Sequence, residues 1–523
     1  MLSLSLPFDP AGIELDRRRG LSRQLYQALR SRVMDGRLVG GTRLPASRDL
    51  ALALGISRNT VMRAYDQLYA EGFTEGRVGD GTYVALLPQM SAPAKKLSTK
   101  PSTGLSTGLC TGLSTNLPLS TGVTSSKTVE SRALQNLKIH HLPPFRSGPP
   151  KAFRVGVPAL DLFPFEVWAK LYAAFWRNPD PASLGYGDPA GEPRLRQLIA
   201  AYLRSSRGLS CVAEQIVITS GAQEAIGLCA QLLLEPGDRV AIENPGYRAA
   251  GHAFANAGAS LCGVPVDKDG LDCAALNQLP ACRMVYVTPA HQYPTGVTLS
   301  LARRLELLGW ATRNQSWIIE DDYDSEYRYS GAPLAPLAAL DRQGRVLYVG
   351  TFGKVAFPAL RLGYLVLPAE LVEPFARRRA VAVRHSEIGT QAVMAEFIAK
   401  GHFQRHIRRM RRAALSRRDT LLEHWPVDIP GVGPMPEVAA GLHLTLPVSS
   451  LAREQELVAL AEAADVEING LSSYWLPDSQ PPVDKQAGLV LGFAAVDNVA
   501  IIAALGRLRG AWFADKSAPT GPV

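Results

Sequence analysis

The sequence predicts an α/β protein: a large, mostly parallel sheet covered on both faces by helices, preceded by a small helix-turn-helix unit with a hairpin wing. Three observations carry this reading. From about residue 150 onward, short apolar runs (QIVITS, RVAIE, MVYVTP, SWIIEDD, RVLYVG, GYLVL) alternate with helical stretches. Continuous apolar runs between helices mark strands buried on both faces. Residues 21–84 hold helical patterns joined by a tight glycine turn, then a Gly-rich hairpin. Between the two zones, residues 91–145 repeat an LSTG-like unit with few bulky side chains, so they cannot bury enough surface to offset ordering entropy. The chain has 523 residues, enough for two or more domains. We expect a head at 15–86, a flexible basic linker at 87–148 and a body at 149–515. A coil of the linker's length would typically span ~40 Å.

Composition narrows the class. The apolar fraction of 46% suits a globular protein with a large core, and the net charge of +9 fits a polyanionic partner. Six scattered cysteines with no C-x-x-C pair read as reduced thiols in the cytoplasm, and no metal site is expected. The opening MLSLSLPFDPAGIELD lacks a basic segment before an apolar core, and no apolar run reaches membrane-spanning length. Neither secretion nor a membrane partner is expected.

In the head, Leu21, Leu25, Leu29 and Val33 recur at i, i+4, an amphipathic helix closing near Gly36. LPASRDLALAL gives a second helix, expected to be capped by Ser47. After the turn at 55–56, SRNTVMRAYDQLYAEG gives a third, with Ser57 as N-cap and Val61, Tyr65 and Leu68 facing inward. Its exposed start would present Arg58, Asn59 and Thr60, where major-groove contacts are made. GRVGDGTYV reads as the wing, with Arg77 near its tip.

In the body, Lys354 stands alone in the apolar, Gly-rich run GTFGKVAFPALRLG. A buried lysine is costly unless its pKa falls or it enters a covalent adduct. A Schiff base with pyridoxal phosphate satisfies this, and that cofactor needs a pyridine partner, phosphate donors and a ring-stacking group. The sequence offers each. SGAQEA follows a strand and opens a helix, so the amides of Gly221, Ala222 and Gln223 can meet a phosphate. Thr351 and Arg361 add a hydroxyl and a guanidinium. Asp321 ends a strand where it can pair with a pyridinium, and Tyr323 points the same way two residues on. Tyr247 in ENPGY can stack on the ring. The arginine run at 405–418 is read as a solvated or intersubunit helix, with its arginines spread around most of the circumference.

Two resemblances follow from these motifs. LP-x-S-R, S-R-N-T-V-x-R-A-Y and G-x-G-T-Y-V, in that order, resemble the GntR-type winged helix-turn-helix over some seventy residues. That resemblance implies double-stranded DNA as partner, touched by Arg48, Arg58, Asn59 and Thr60. The body resembles the fold-type I, class I aminotransferases over about 360 residues. It implies Lys354 as the cofactor lysine, Asp321 as the pyridinium partner, Arg361 as a phosphate arginine and Tyr323 bonded to the pyridine oxygen. It also implies a homodimer in which Tyr186 of YGDPAG reaches the neighbouring subunit's phosphate. Head, linker and body together resemble the MocR-type regulators.

Three departures from these patterns matter. Tyr293 stands where they carry Asn before PTG, and Gly353 precedes the lysine where Ser is usual in the regulator branch. No arginine follows GLH (441–443) at the spacing that holds a substrate carboxylate; Ser472 and Ser473 stand there, with Arg248 a conceivable substitute. The expectation is a regulator that reads DNA, binds pyridoxal phosphate and senses a small molecule, which can be the cofactor itself or an amino compound. The alternatives are an active aminotransferase with a fused head, and a DNA-binding protein whose body is only a scaffold.

Overall fold

The computed structural model describes residues 12–13, 15–17, 20–77, 80–86, 131–139, 148–331, 334–477 and 487–513. Helices α1 (Leu21–Met34), α2 (Ser47–Leu54) and α3 (Arg58–Ala70) build the head around Leu25, Leu29, Leu50, Val61, Tyr65 and Leu68. Leu21 and Val33 are only half-buried at the rim. The Ser57 hydroxyl caps α3 by accepting from the Thr60 amide at 3.1 Å. Ser47 does not cap α2: Ala46 is the N-cap, and Ser47 opens the helix with its hydroxyl taken by Arg58 Nε at 3.2 Å. A left-handed Gly55 (φ 62°) ends α2 and makes the sharp turn toward α3. The wing pairs β1 (Thr74–Arg77) with β2 (Gly81–Val84), Arg77 opposite Gly81 at its end.

Most of the expected linker lies outside the described residues. Its one described element is a helix, Arg132–Ile139, in place of the expected coil; the Asn136 amide donates to Ala255 O of the body at 3.2 Å.

The body's main sheet comprises β3 (Ile216–Thr219), β4 (Arg239–Asn244), β5 (Ser260–Asp267), β6 (Gly270–Leu271), β7 (Met284–Val287), β8 (Trp317–Asp322), β9 (Val346–Thr351) and β10 (Gly363–Val366). Their order is β3-β10-β9-β8-β7-β4-β5-β6. Strands β5, β4, β7, β8 and β9 are parallel. Strand β10 runs antiparallel between β9 and β3. Residues 352–362, which join β9 to β10, are too few for a crossover helix, so the chain must turn back beside itself. Strand alternation sends Val240, Ile242, Ile319 and Val349 to one helical layer, with Phe254 and Phe375. Ala241, Val285 and Ile318 go to the other, with Leu307 and Trp310. A smaller antiparallel sheet joins β11 (His443–Pro447), β12 (Asn469–Gly470) and β13 (Gly488–Gly492) in the order β11-β13-β12. The carboxyl ends of β3, β4, β7, β8 and β9 share one edge, where ligands bind in such sheets.

Candidate functional site

A cavity of about 220 Å³ opens at that edge. Lys354, just past β9, donates from Nζ to Gly156 O at 2.7 Å. Burial holds its pKa below the ordinary lysine value, opposed by the negative charges of Asp324 and Asp321. Across the cavity, Asp321 on β8 is 4% exposed. Its Oδ2 accepts from the Tyr286 hydroxyl at 2.6 Å, while its Oδ1 is buried with no partner. Burial raises this carboxyl to about 6, aided by Asp322 and Asp324 and opposed by Tyr286 and Lys354. An orphaned buried carboxylate oxygen is expensive unless a donor meets it.

The far end suits an anion. Gly221 (φ 87°) is the N-cap of helix Ala222–Leu233, whose first amides are open. Arg361, left-handed at φ 49°, donates to Ser220 O at 2.7 Å. A Cβ on Gly221 would sit 3.2 Å from that guanidinium, so only glycine leaves the approach clear. Thr351 closes β9 and accepts from the Gly353 amide at 3.0 Å. Ala222 and Gln223 line the same end, and the Gln223 amide donates to Ala249 O at 2.9 Å. Tyr247 and Tyr293 meet edge to face, centroids 5.7 Å apart, and burial pushes the Tyr247 phenol up to about 12. The Tyr323 ring lines the wall, its hydroxyl donating to His291 O at 2.8 Å.

The structure thus brings Lys354, Asp321, Tyr323, Tyr247, Gly221, Ala222, Gln223, Thr351 and Arg361 round one cavity. It does not bring Tyr186, which is 88% exposed beside Arg384 and His385. Sequence reasoning missed Tyr286, Gly156 and His443. Tyr286 was legible only as an inward residue of MVYVTP one strand away from Asp321.

Val155, Gly156, Tyr293 and Leu442 add uncharged lining, with Lys354 Nζ held at Gly156 O. Among the described lining residues Arg361 is the one guanidinium. Ser472 is held by Glu454, and Ser473 donates to Gly470 O at 2.8 Å. Arg248 is not in the lining; it donates to Ser473 O at 3.3 Å.

The arginine run forms helix His402–His424, and its arginines are spread around most of the axis, as expected. Arg405, Arg408, Arg409 and Arg412 share one exposed stripe, as i, i+3, i+4, i+7 spacing dictates. Arg417 turns inward to Asp161 at 2.6 Å and Ala494 O at 2.7 Å. On the head, Arg48, Arg58 and Asn59 are exposed and Thr60 is half-buried, its hydroxyl 2.8 Å from that of Ser57. Arg77 ends β1 at the wing, and its side chain lies outside the described residues.

Comparison with known proteins agrees with both halves. Residues 21–84 match the bacterial regulatory proteins of the gntR family, and residues 153–454 match aminotransferase class I and II. The whole chain is 35% identical to a probable rhizopine catabolism regulatory protein, MocR, of Rhizobium meliloti, covering 96% of both chains. The chain is a MocR-type regulator of the GntR family. This regulator is also 31% identical to the pyridoxine biosynthesis transcriptional regulator PdxR of Corynebacterium glutamicum, over 91% of this chain and 92% of that one. Its body is similar to a Pyrococcus horikoshii kynurenine aminotransferase structure, with a TM-score of 0.63 and 26% identity, covering 75% of this chain and 96% of that chain. The MocR-type regulator therefore binds DNA through its head and carries a pyridoxal phosphate-dependent aminotransferase fold as its body. Among the described residues, no helix is long and apolar enough to cross a membrane.

Proposed function

We propose that this regulator holds pyridoxal phosphate at Lys354 and uses the loaded body as a sensor of the cofactor itself or of an amine without a second anionic group. The carrying observation is the cavity's asymmetry. Arg361 and a helix N-terminus gather at the phosphate end, and apart from Lys354, which the cofactor would occupy, no other Lys or Arg is among the described lining residues. When bound, the cofactor supplies an aldehyde for amines and an electron-withdrawing ring. Lys354 offers the amine that holds it. Asp321 offers its unpartnered oxygen to the pyridine N–H. Gly221, Ala222, Gln223, Thr351 and Arg361 take the phosphate, and Tyr247 covers the ring. Tyr323 lies where it can reach the ring oxygen.

An ordinary amino acid would bring a carboxylate for which no further described lining Lys or Arg is left as a partner. Leaving such a charge buried and unpaired is costly, which disfavours turnover of amino acids. The same reading takes the regulator as a cytoplasmic homodimer. Tyr186, exposed and not among the lining residues of its own cavity, would serve the phosphate of the partner subunit. Arg48, Arg58, Asn59, Thr60 and Arg77 would meet the operator.

The test is footprinting on the DNA upstream of the regulator's own coding sequence, with and without pyridoxal phosphate. A cofactor-dependent footprint is expected. Steady turnover of common amino-acid donors with no cofactor effect on DNA would overturn the sensor reading.

A further inference from the structure

Beneath Tyr323 lies a buried group that the cofactor seat does not use. His291 and Asp324 are 3% and 1% exposed. His291 Nδ1 is 2.9 Å from Asp324 Oδ2 and 3.1 Å from the Tyr323 hydroxyl. That hydroxyl donates in turn to His291 O at 2.8 Å. A carboxylate only accepts, so Asp324 requires the proton on His291 Nδ1. Nδ1–H then also faces the Tyr323 oxygen, which directs the phenol's own proton elsewhere. The ring cannot turn out of this arrangement. A Cβ on Gly441 would fall 1.9 Å from its Cε1, and one on Gly296 would fall 3.2 Å from its Nε2. His443 packs against it with centroids 4.6 Å apart, tied by Nε2 to Pro294 O at 3.0 Å.

We propose that Asp324 and His291 are positioning residues which, through a fixed Nδ1–H, keep the Tyr323 proton off Nδ1, so that it can turn from His291 O, its acceptor here, to an acceptor in the cavity, the ring oxygen of the bound cofactor. Without Asp324, His291 can place its proton on Nε2, and a bare Nδ1 then competes for the Tyr323 proton. The inference rests on the cofactor seat proposed above.

Asp324 has a second route to the cofactor, because its charge faces Lys354 directly. The two routes have opposite signs. A hydroxyl donating to the ring oxygen favours its deprotonated, anionic form, so losing that donor raises the pH midpoint of the bound cofactor. Losing a nearby negative charge lowers it. The other titratable or charged groups facing Lys354 and Tyr323 are Asp321, Glu243, Tyr293 and His443, with Arg361 at the phosphate end. None of these is altered in the pH titrations.

The experiment is a spectroscopic pH titration of the visible band in full-length, cofactor-loaded protein. Tyr323→Phe should raise the midpoint, and Asp324→Asn should raise it too, by about half a pH unit or more. In the Tyr323→Phe background, where only the charge route remains, Asp324→Asn should lower the midpoint instead. A lowered or unchanged midpoint in Asp324→Asn, or an equal shift in both backgrounds, would overturn the relay. His291→Leu should raise the midpoint, whereas His291→Asn, whose amide N–H stands near the Nδ1 position, should restore it. This pair keeps the test intact if Asp324→Asn folds poorly, and equal midpoints in the two would also overturn the relay. His291, Asp324 and His443 lie close enough to share a cation, with ligand atoms within 4.8 Å. One equivalent of zinc retained by wild type and lost in His443→Ala would replace the relay with a metal site. The two readings fail separately: a band that survives Lys354→Ala refutes the seat, and a band with an unmoved midpoint in Asp324→Asn refutes the relay.

Discussion

Replacing Asp321 by Asn should stabilise the cofactor-free protein while weakening cofactor binding. Asp321 ionises near 6 rather than 3.8 because it is buried. An acid whose folded pKa lies above its unfolded value is a liability wherever it is charged. Its penalty is absent below the unfolded pKa, grows from about pH 4 to 6 and is full above 6. At pH 8 this amounts to ~3 kcal/mol at most. The amide side chain of the Asp321→Asn variant would carry no charge and could still accept from Tyr286. The cofactor-free variant should therefore be ~1–3 kcal/mol more stable at pH 8 and little changed at pH 4. The bound state responds the opposite way. A charge-assisted bond to the pyridine N–H is worth ~1.5–3 kcal/mol, so Kd for pyridoxal phosphate should rise about 10- to 100-fold. Urea unfolding at the two pH values, with a fluorescence titration of the cofactor, reads both quantities. A cofactor-free Asp321→Asn protein less stable than wild type at pH 8, or one that binds the cofactor equally well, would refute the assignment.

Other expectations follow from the same geometry. Lys354→Ala should abolish the borohydride-sensitive visible band, and peptide mapping of reduced wild type should place the label on Lys354. Arg58→Ala should cost operator binding ~1–3 kcal/mol if Arg58 reads a base, or weaken all sequences alike and flatten the salt slope if it binds phosphate; gel shifts on operator and random DNA across salt distinguish the two. Ser57→Ala removes the α3 cap and should cost the head ~1 kcal/mol by thermal melting, with operator affinity falling at the same time. Tyr186→Phe should weaken cofactor binding although the residue is outside its own cavity. Mixed dimers of Tyr186→Phe and Lys354→Ala subunits should carry at most one unimpaired site.

Lys354 was legible because a lone cation in an apolar, Gly-rich run demands an explanation. Asp321 and Tyr323 were legible because strand ends of a parallel sheet are known places, and Tyr323 follows at period two. Tyr286 was not, because its bond to Asp321 depends on β7 lying beside β8, a pairing between segments some thirty residues apart. His443 arrives from a different sheet altogether. The reversal of β10 was implicit in the shortness of 352–362, but the apolar run GYLVL carries no mark of direction. The arginine run was legible in part. Its all-round spread was in the sequence, but only burial separates the exposed stripe from the inward arginines at 411 and 417.

Strand β8 ties the two halves of the molecule together. It ends in three consecutive acids, Glu320, Asp321 and Asp322, all buried. Pleating sends Asp321 to the cavity and its two neighbours to the opposite face. Glu320 accepts from the amides of Leu337 and Ala338, both at 2.8 Å, and so holds the short helix Leu337–Leu340. Ala339 O of that helix takes Arg30 of α1 at 3.0 Å, and Arg342 just beyond pairs with Asp35 at 2.9 Å. Asp322 faces Arg207, which follows the carbonyls of Arg204 and Ser205 that receive Arg23 of α1. The cavity and the head are therefore reached from opposite faces of one six-residue strand. A coupling between them, of whatever sign, must be reciprocal in binding free energy. If pyridoxal phosphate tightens operator binding about fivefold, the operator must tighten pyridoxal phosphate binding by the same factor, which is about 1 kcal/mol. Arg30→Ala, which removes a head contact but no cofactor or operator contact, should reduce both factors together. Titrating each ligand in the presence and absence of the other, in wild type and Arg30→Ala, measures this. A variant that keeps the full coupling would show that the α1 contacts with Leu337–Leu340 play no part in it.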